Sequence, residues 1–95
     1  MDSAIALQEF LEYVVANLIE HPEQASILHD FDGSTHQFRV VLAKPDVGQV
    51  IGRQGGTIRS IRSLLEAACV KNGVRATVEV GTREEFGLQP LGEEA

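Results

Sequence analysis

What this sequence lacks excludes much before any motif is read. It has no Trp, one Tyr and a single cysteine, Cys69. One cysteine permits no internal disulfide, in keeping with a reducing compartment. Cys69 falls in a helical apolar pattern, where a small core residue is expected rather than a nucleophile. No apolar run approaches the roughly 18 residues of a membrane span. The first residues lack a basic segment followed by an apolar run and a small-residue cleavage site, so no signal peptide is expected. These absences predict a soluble, cytoplasmic protein.

Catalytic signatures are missing as well. Ser60, Ser63, Cys69 and the three His form no recognisable nucleophile and base constellation. His21, His29 and His36 have no close ligand spacing and read as surface polar residues, so no metal or other cofactor is expected. Gly48, Gly52 and Gly55 do not have the G-x-G-x-x-G spacing of a dinucleotide site. Gly55-Gly56-Thr57 lacks the lysine that a P-loop extends to its phosphates. With 95 residues, the chain suits one small domain with one core and no large catalytic cleft. A non-enzymatic binding module is the remaining class.

Positive charge is scarce and unevenly placed. Residues 1–38 hold seven acids and no Lys or Arg, and the net charge is −6. That average argues against a nucleic-acid partner. Residues 39–62, however, carry Arg39, Lys44, Arg53, Arg59 and Arg62 against Asp46 alone. The one net positive stretch is where a local phosphate contact would need it.

That stretch contains Val50-Ile51-Gly52-Arg53-Gln54-Gly55-Gly56-Thr57-Ile58. Glycines on either side of Arg53 and Gln54 let the main chain turn tightly between two helices and approach a ligand backbone closely. A helix beginning near Thr57 would add free N–H groups and the positive end of its dipole. Arg53 supplies a mobile cation.

The rest of the chain reads as support for this loop. Asp2 or Ser3 can cap a first helix whose stripe is Ala4, Leu7, Leu11, Val14 and Leu18, widened by Phe10, Val15 and Ile19. His21-Pro22 is expected to end it. Residues 25–31 read as a strand, Asp32-Gly33 as a turn, and residues 35–43 as a second strand. Phe38, Val40 and Leu42 alternate there with Gln37, Arg39 and Val41, which point the other way. Pro45 to Ile51 is a short helix with Pro near its start. Thr57 to about Asn72 is an amphipathic helix with Ile58, Ile61, Leu65 and Ala68 in its stripe and Gly73 at its C-terminal end. Val74 to Val80 alternate as a last strand. Residues 82–95, with four Glu, read as a loose acidic tail, which makes 1–81 the domain.

Ile51, Gly52, Gly55 and Ile58 match I-G-x-x-G-x-x-I, with an apolar Val50 before it, and this stretch resembles the signature of the KH domain. The α-β-β-α-α-β order resembles the type II KH arrangement, an α+β fold with a three-stranded mixed sheet and three helices on one face. The length and element order over residues 4–80 are similar to the KhpA family of small bacterial KH proteins. The resemblance implies single-stranded RNA as ligand, its backbone clamped by Gly52, Arg53, Gln54 and Gly55. Val50, Ile51 and Ile58 would line the groove and the core beneath, and Arg59 and Arg62 would supply charge beside it. Gly56 stands where a basic residue often follows the loop. The resemblance also implies an RNA chaperone or post-transcriptional regulator, a homodimer or a pair with a KhpB-type protein, and a link to cell-envelope growth and cell length. The alternative is a dimerisation adaptor in which the loop is only structural. The wide apolar face of the first helix, with Leu64 on the later one, independently predicts self-association.

Overall fold

The structure is a computed structural model and describes residues 3–91. Three helices and three strands follow in the order α1 (Ser3–Ala16), β1 (Ser26–Phe31), β2 (His36–Val41), α2 (Lys44–Ile51), α3 (Gly56–Asn72) and β3 (Ala76–Gly81). β2 is the central strand, antiparallel to β1 and parallel to β3. A four-residue loop allows the antiparallel pair, whereas the parallel pair needs the α2–α3 crossover. This is the expected α+β, type II KH arrangement.

The core lies between the sheet and the helices. Leu7, Leu11 and Val15 from α1, Val50 from α2, and Ile58, Ile61, Leu65 and Cys69 from α3 meet Phe38, Val40 and Val78 of the sheet. Periods of three and four along the helices and two along the strands bring these residues to one layer.

The first helix ends earlier than His21-Pro22. Asn17 Nδ2 donates to the Tyr13 carbonyl at 2.7 Å, and the Leu18 amide bonds Val15 rather than continuing the helical ladder. A side-chain amide competing for helix carbonyls is a local stop that hydrophobic periodicity does not reveal. The amides of Glu20 and His21 donate to Asp46 Oδ1 and Oδ2 at 3.0 and 2.9 Å. Asp46 is 1% exposed, and both its oxygens are used in tying the end of the α1 connection to the first turn of α2. The expected caps divide: α1 begins at Ser3, and Asp2 lies outside the described residues.

Other boundaries move by small amounts. β2 is shorter than residues 35–43, β3 begins at Ala76 instead of Val74, and α3 begins at Gly56. Val41, which the alternation turns away from the helices, is nonetheless fully buried. Its register partner is Gly81, where an added Cβ would stand 3.3 Å from the Phe86 ring and 3.2 Å from Glu85 Oε1. The chain beyond β3 therefore covers this end of the outer face.

That covering segment is built from local signals. Thr82 Oγ1 accepts from the Glu85 amide at 3.1 Å and Glu85 Oε1 accepts from the Thr82 amide at 2.8 Å, a reciprocal capping box. Gly87, with φ of 72°, ends the single turn, with the Leu88 amide bonding the Arg83 carbonyl at 2.7 Å and the Gly87 amide bonding that of Glu84 at 3.0 Å. Residues 92–95 of the expected tail lie outside the described residues.

Candidate nucleic-acid interface

The Gly52–Gly55 loop joins α2 to α3 through a single 3-10 turn, Arg53–Gly55. Three residues in this loop have left-handed φ: Gly52 at 79°, Gln54 at 55° and Gly55 at 75°. Gly52 also has ψ of 172°, a combination available essentially to glycine alone. A Cβ on Gly52 would lie 2.2 Å from Thr57 Oγ1 and 2.8 Å from the Thr57 amide nitrogen. Space and dihedral angle thus both demand glycine there. Gln54 is the one non-glycine residue with positive φ among the described residues, and no sequence signal marked it.

Hydrogen bonds close the loop on itself. The Gly52 amide donates to Gly48 O at 2.9 Å and the Gly55 amide to Gly52 O at 3.1 Å, while the Gly56 amide donates to Arg53 O. None of these bonds uses the amides of Arg53 or Gln54, and the first turn of α3 follows with its dipole aimed at the loop. Arg59 Nη1 donates to Gln54 O at 2.8 Å, so this cation braces the loop from the next helical turn.

The sequence-selected residues occupy three settings. Arg53 and Gln54 are exposed at the loop tip, with Gly52 and Gly55 partly exposed beside them. Val50 and Ile58 are core residues on either side of the loop and Ile51 is half-buried. Their packing fixes where the loop stands. Arg62 points elsewhere: its Nη2 donates to Val78 O at 3.3 Å. It thereby marks a groove between α3 and the unpaired edge of β3, lined by Arg62, Leu65, Cys69, Val74, Ala76 and Val78. Burial holds the Cys69 thiol above its usual pKa, against a smaller opposing hydrogen bond from the Ala76 backbone, which makes it a poor nucleophile.

A sequence model described as KhpA/KhpB, KH domain matches residues 8–80. The chain belongs to this family. It is 38% identical over 74 residues to the RNA-binding protein KhpA of Chlamydia pneumoniae, covering 78% of this chain and 95% of that protein. It is 34% identical over 61 residues to the RNA-binding protein KhpA of Thermotoga maritima, covering 64% and 81%, and 30% identical over 74 residues to that of Listeria monocytogenes, covering 78% and 97%. No solved structure gives a significant match. These KhpA relatives are named for RNA binding and not for a catalysed reaction, and a KH domain is a binding module, not an enzyme.

Sequence reasoning missed Asp46, whose partners are 25 and 26 residues away. Its place just after Pro45 reads as helix-terminal charge, and nothing local points to the α1 connection. It also missed the contact of His29 Nε2 with His36 Nδ1 at 2.8 Å. Among the described residues no three His, Cys, Asp or Glu gather as metal ligands, and no helix is long and apolar enough to cross a membrane.

Proposed function

We propose that this protein binds single-stranded RNA, with the Gly52–Gly55 loop against the phosphate backbone and bases laid into the groove between α3 and β3. The observation that carries this reading is the loop itself. Its backbone has a shape that only glycine tolerates at Gly52, at the start of α3, with Arg53 exposed and Arg59 beside it. Oriented amides, a helix N-terminus and cations attract phosphate. The outer edge of β3, where Arg62 already meets the Val78 carbonyl, offers main-chain donors and acceptors to base edges, and unpaired bases are needed to reach them.

Replacing Arg53 and Gln54 with Asp leaves both glycines and sets two negative charges at the phosphate position. The folded double variant is expected to lose homopolymer RNA in a filter-binding assay; unchanged affinity would refute the clamp. Single strands are expected to bind better than duplex, with a log-log salt slope of about −2 to −3 for three or four neutralised phosphates.

A second element of the reading is pairing of chains. Ile5 and Tyr13 on α1 and Leu64 and Val70 on α3 are exposed apolar side chains, which favours contact with another chain. A symmetric homodimer, or a pair with a KhpB-type partner, would link two loops and raise avidity through effective concentration. Light scattering over a dilution series tests the homodimer, and a persistent monomer mass leaves the mixed pair. By family likeness the role is that of a cytoplasmic RNA chaperone or regulator connected with envelope growth and cell length. A dimerisation adaptor without RNA binding is the reading that the double Asp variant would favour by behaving as the parent does.

A further inference from the structure

The open end of the sheet carries a row of rings that the loop and groove do not use. Strand register sets Phe31, His36 and Ala76 side by side across β1, β2 and β3, one row outward from His29, Phe38 and Val78. Both rows are on the helix-covered side of the sheet, because Phe38 and Val78 belong to the core. The cover thins toward the β1 edge: Phe38 is 1% exposed, His36 and Ala76 are half-buried, and His29 and Phe31 on β1 are exposed, Phe31 at 55%.

The rings form a continuous ladder. Phe31 stacks on His36 with centroids 4.5 Å apart and planes at 28°. His36 stacks on His29 at 5.0 Å and 26°, and His29 on Phe38 at 4.8 Å and 22°. The 2.8 Å contact between His29 Nε2 and His36 Nδ1 fixes one imidazole against the other. One end of the ladder is anchored in the core by Phe38, so the outer ring is held in place by its neighbours while remaining exposed to solvent.

This row continues the groove. Ala76 lines the groove between α3 and β3 and is also the register partner of His36. The His36 amide donates to the Arg75 carbonyl at 2.8 Å, and Arg75 itself is exposed at the same corner. The corner lies by the C-terminal end of α3, whose 17 residues make it about 25 Å long, with the Gly52–Gly55 loop at the other end. A strand that enters at the loop and follows the groove leaves it here.

We propose that Phe31, backed by His36, is a stacking platform for a nucleobase of single-stranded RNA at the end of the groove remote from the loop. An exposed ring backed by other rings is a preformed surface for a base, and stacking tolerates any base because every base has a π face. Arg75 supplies the neighbouring positive charge for the backbone.

The platform rests on the RNA reading above, and the test separates the two. Affinity for an eight-nucleotide and a four-nucleotide oligoadenylate is measured by fluorescence anisotropy. Phe31→Ala is expected to weaken the longer RNA about tenfold and to leave the shorter one unchanged, with an unaltered thermal melt. Phe31→Trp places the sole Trp in the chain at this site, and its emission is expected to be quenched by the longer RNA only. Parent-like affinity of Phe31→Ala for the longer RNA, or unchanged Trp emission at saturation, overturns the platform. If the double Asp variant at Arg53 and Gln54 still loses both RNAs in that case, the platform alone is wrong. If that variant binds both as the parent does, the loop reading on which the platform rests falls instead.

Discussion

Two reversing turns of the same length do different work in this molecule. Asp32–Thr35 joins β1 to β2, and Gly52–Gly55 joins α2 to α3; each contains glycine with positive φ. The first turn is held by its own side chain. Asp32 Oδ1 accepts from the amides of Ser34 and Thr35, each at 2.8 Å. The Thr35 and Ser34 amides hold the Asp32 carboxyl below its usual pKa. An added Cβ on Gly33 meets nothing within 4 Å. The second turn adds to its own main-chain bonds the support of its surroundings: Thr57 beneath Gly52, Arg59 on Gln54 O, and the core residues Val50 and Ile58 on its flanks. A hairpin turn has only to reverse the chain, whereas a loop that presents amides to a ligand, as proposed for Gly52–Gly55, would have to keep one shape while its tip is exposed. Tertiary packing supplies that constancy.

The largest expected effect follows from this contrast. Gly52→Ala combines a forbidden dihedral with a sub-van-der-Waals approach to Thr57, and is expected to lower unfolding free energy by about 3 kcal/mol. Chemical denaturation checks it, and a loss no greater than that of Gly33→Ala would erase the distinction between the two turns. Next is Asp46→Ala, which acts on the helix that carries the loop. It strips two part-buried amides of their buried acceptor, at an expected cost of about 2 kcal/mol. Asp46→Asn keeps one oxygen acceptor and should recover part of that loss in the same measurement.

Smaller effects sharpen the comparison. Gly33→Ala is strained only by its backbone angle and should cost about 1 kcal/mol, with RNA affinity unaltered. Gln54→Gly relieves a left-handed non-glycine residue but loosens the unfolded chain, so a gain of no more than about 0.5 kcal/mol is expected. That variant also separates the loop's shape from the Gln54 side chain, since parent-like RNA affinity would assign the contact to the backbone. The least perturbing probe is chemical. Because burial raises the Cys69 pKa, less thiolate is present at neutral pH, and alkylation by iodoacetamide should be slow until denaturant is added.

Pro45, Gly55, Gly73 and the apolar periods of α1 and α3 made the element order, the mixed sheet and the position of the loop legible in the sequence. These are local signals: a fixed φ, a tolerated left-handed residue, a repeat of two or of about 3.6. The capping box at Thr82 and Glu85 was equally local, and was hidden only because a single helical turn is too short to show a period. What tertiary structure alone decided involves partners far apart in the chain. Asp46 meets the Glu20 and His21 amides, Arg62 leaves the loop for the β3 edge, and Val41 is buried by a segment that follows β3. Phe31, His36 and Ala76 form one row only after β1 and β3 have both paired with β2. Residue type and spacing encode what a segment does by itself; which distant groups meet depends on how the sheet and helices pack, and that packing sets the buried hydrogen bonds and the exposed rings.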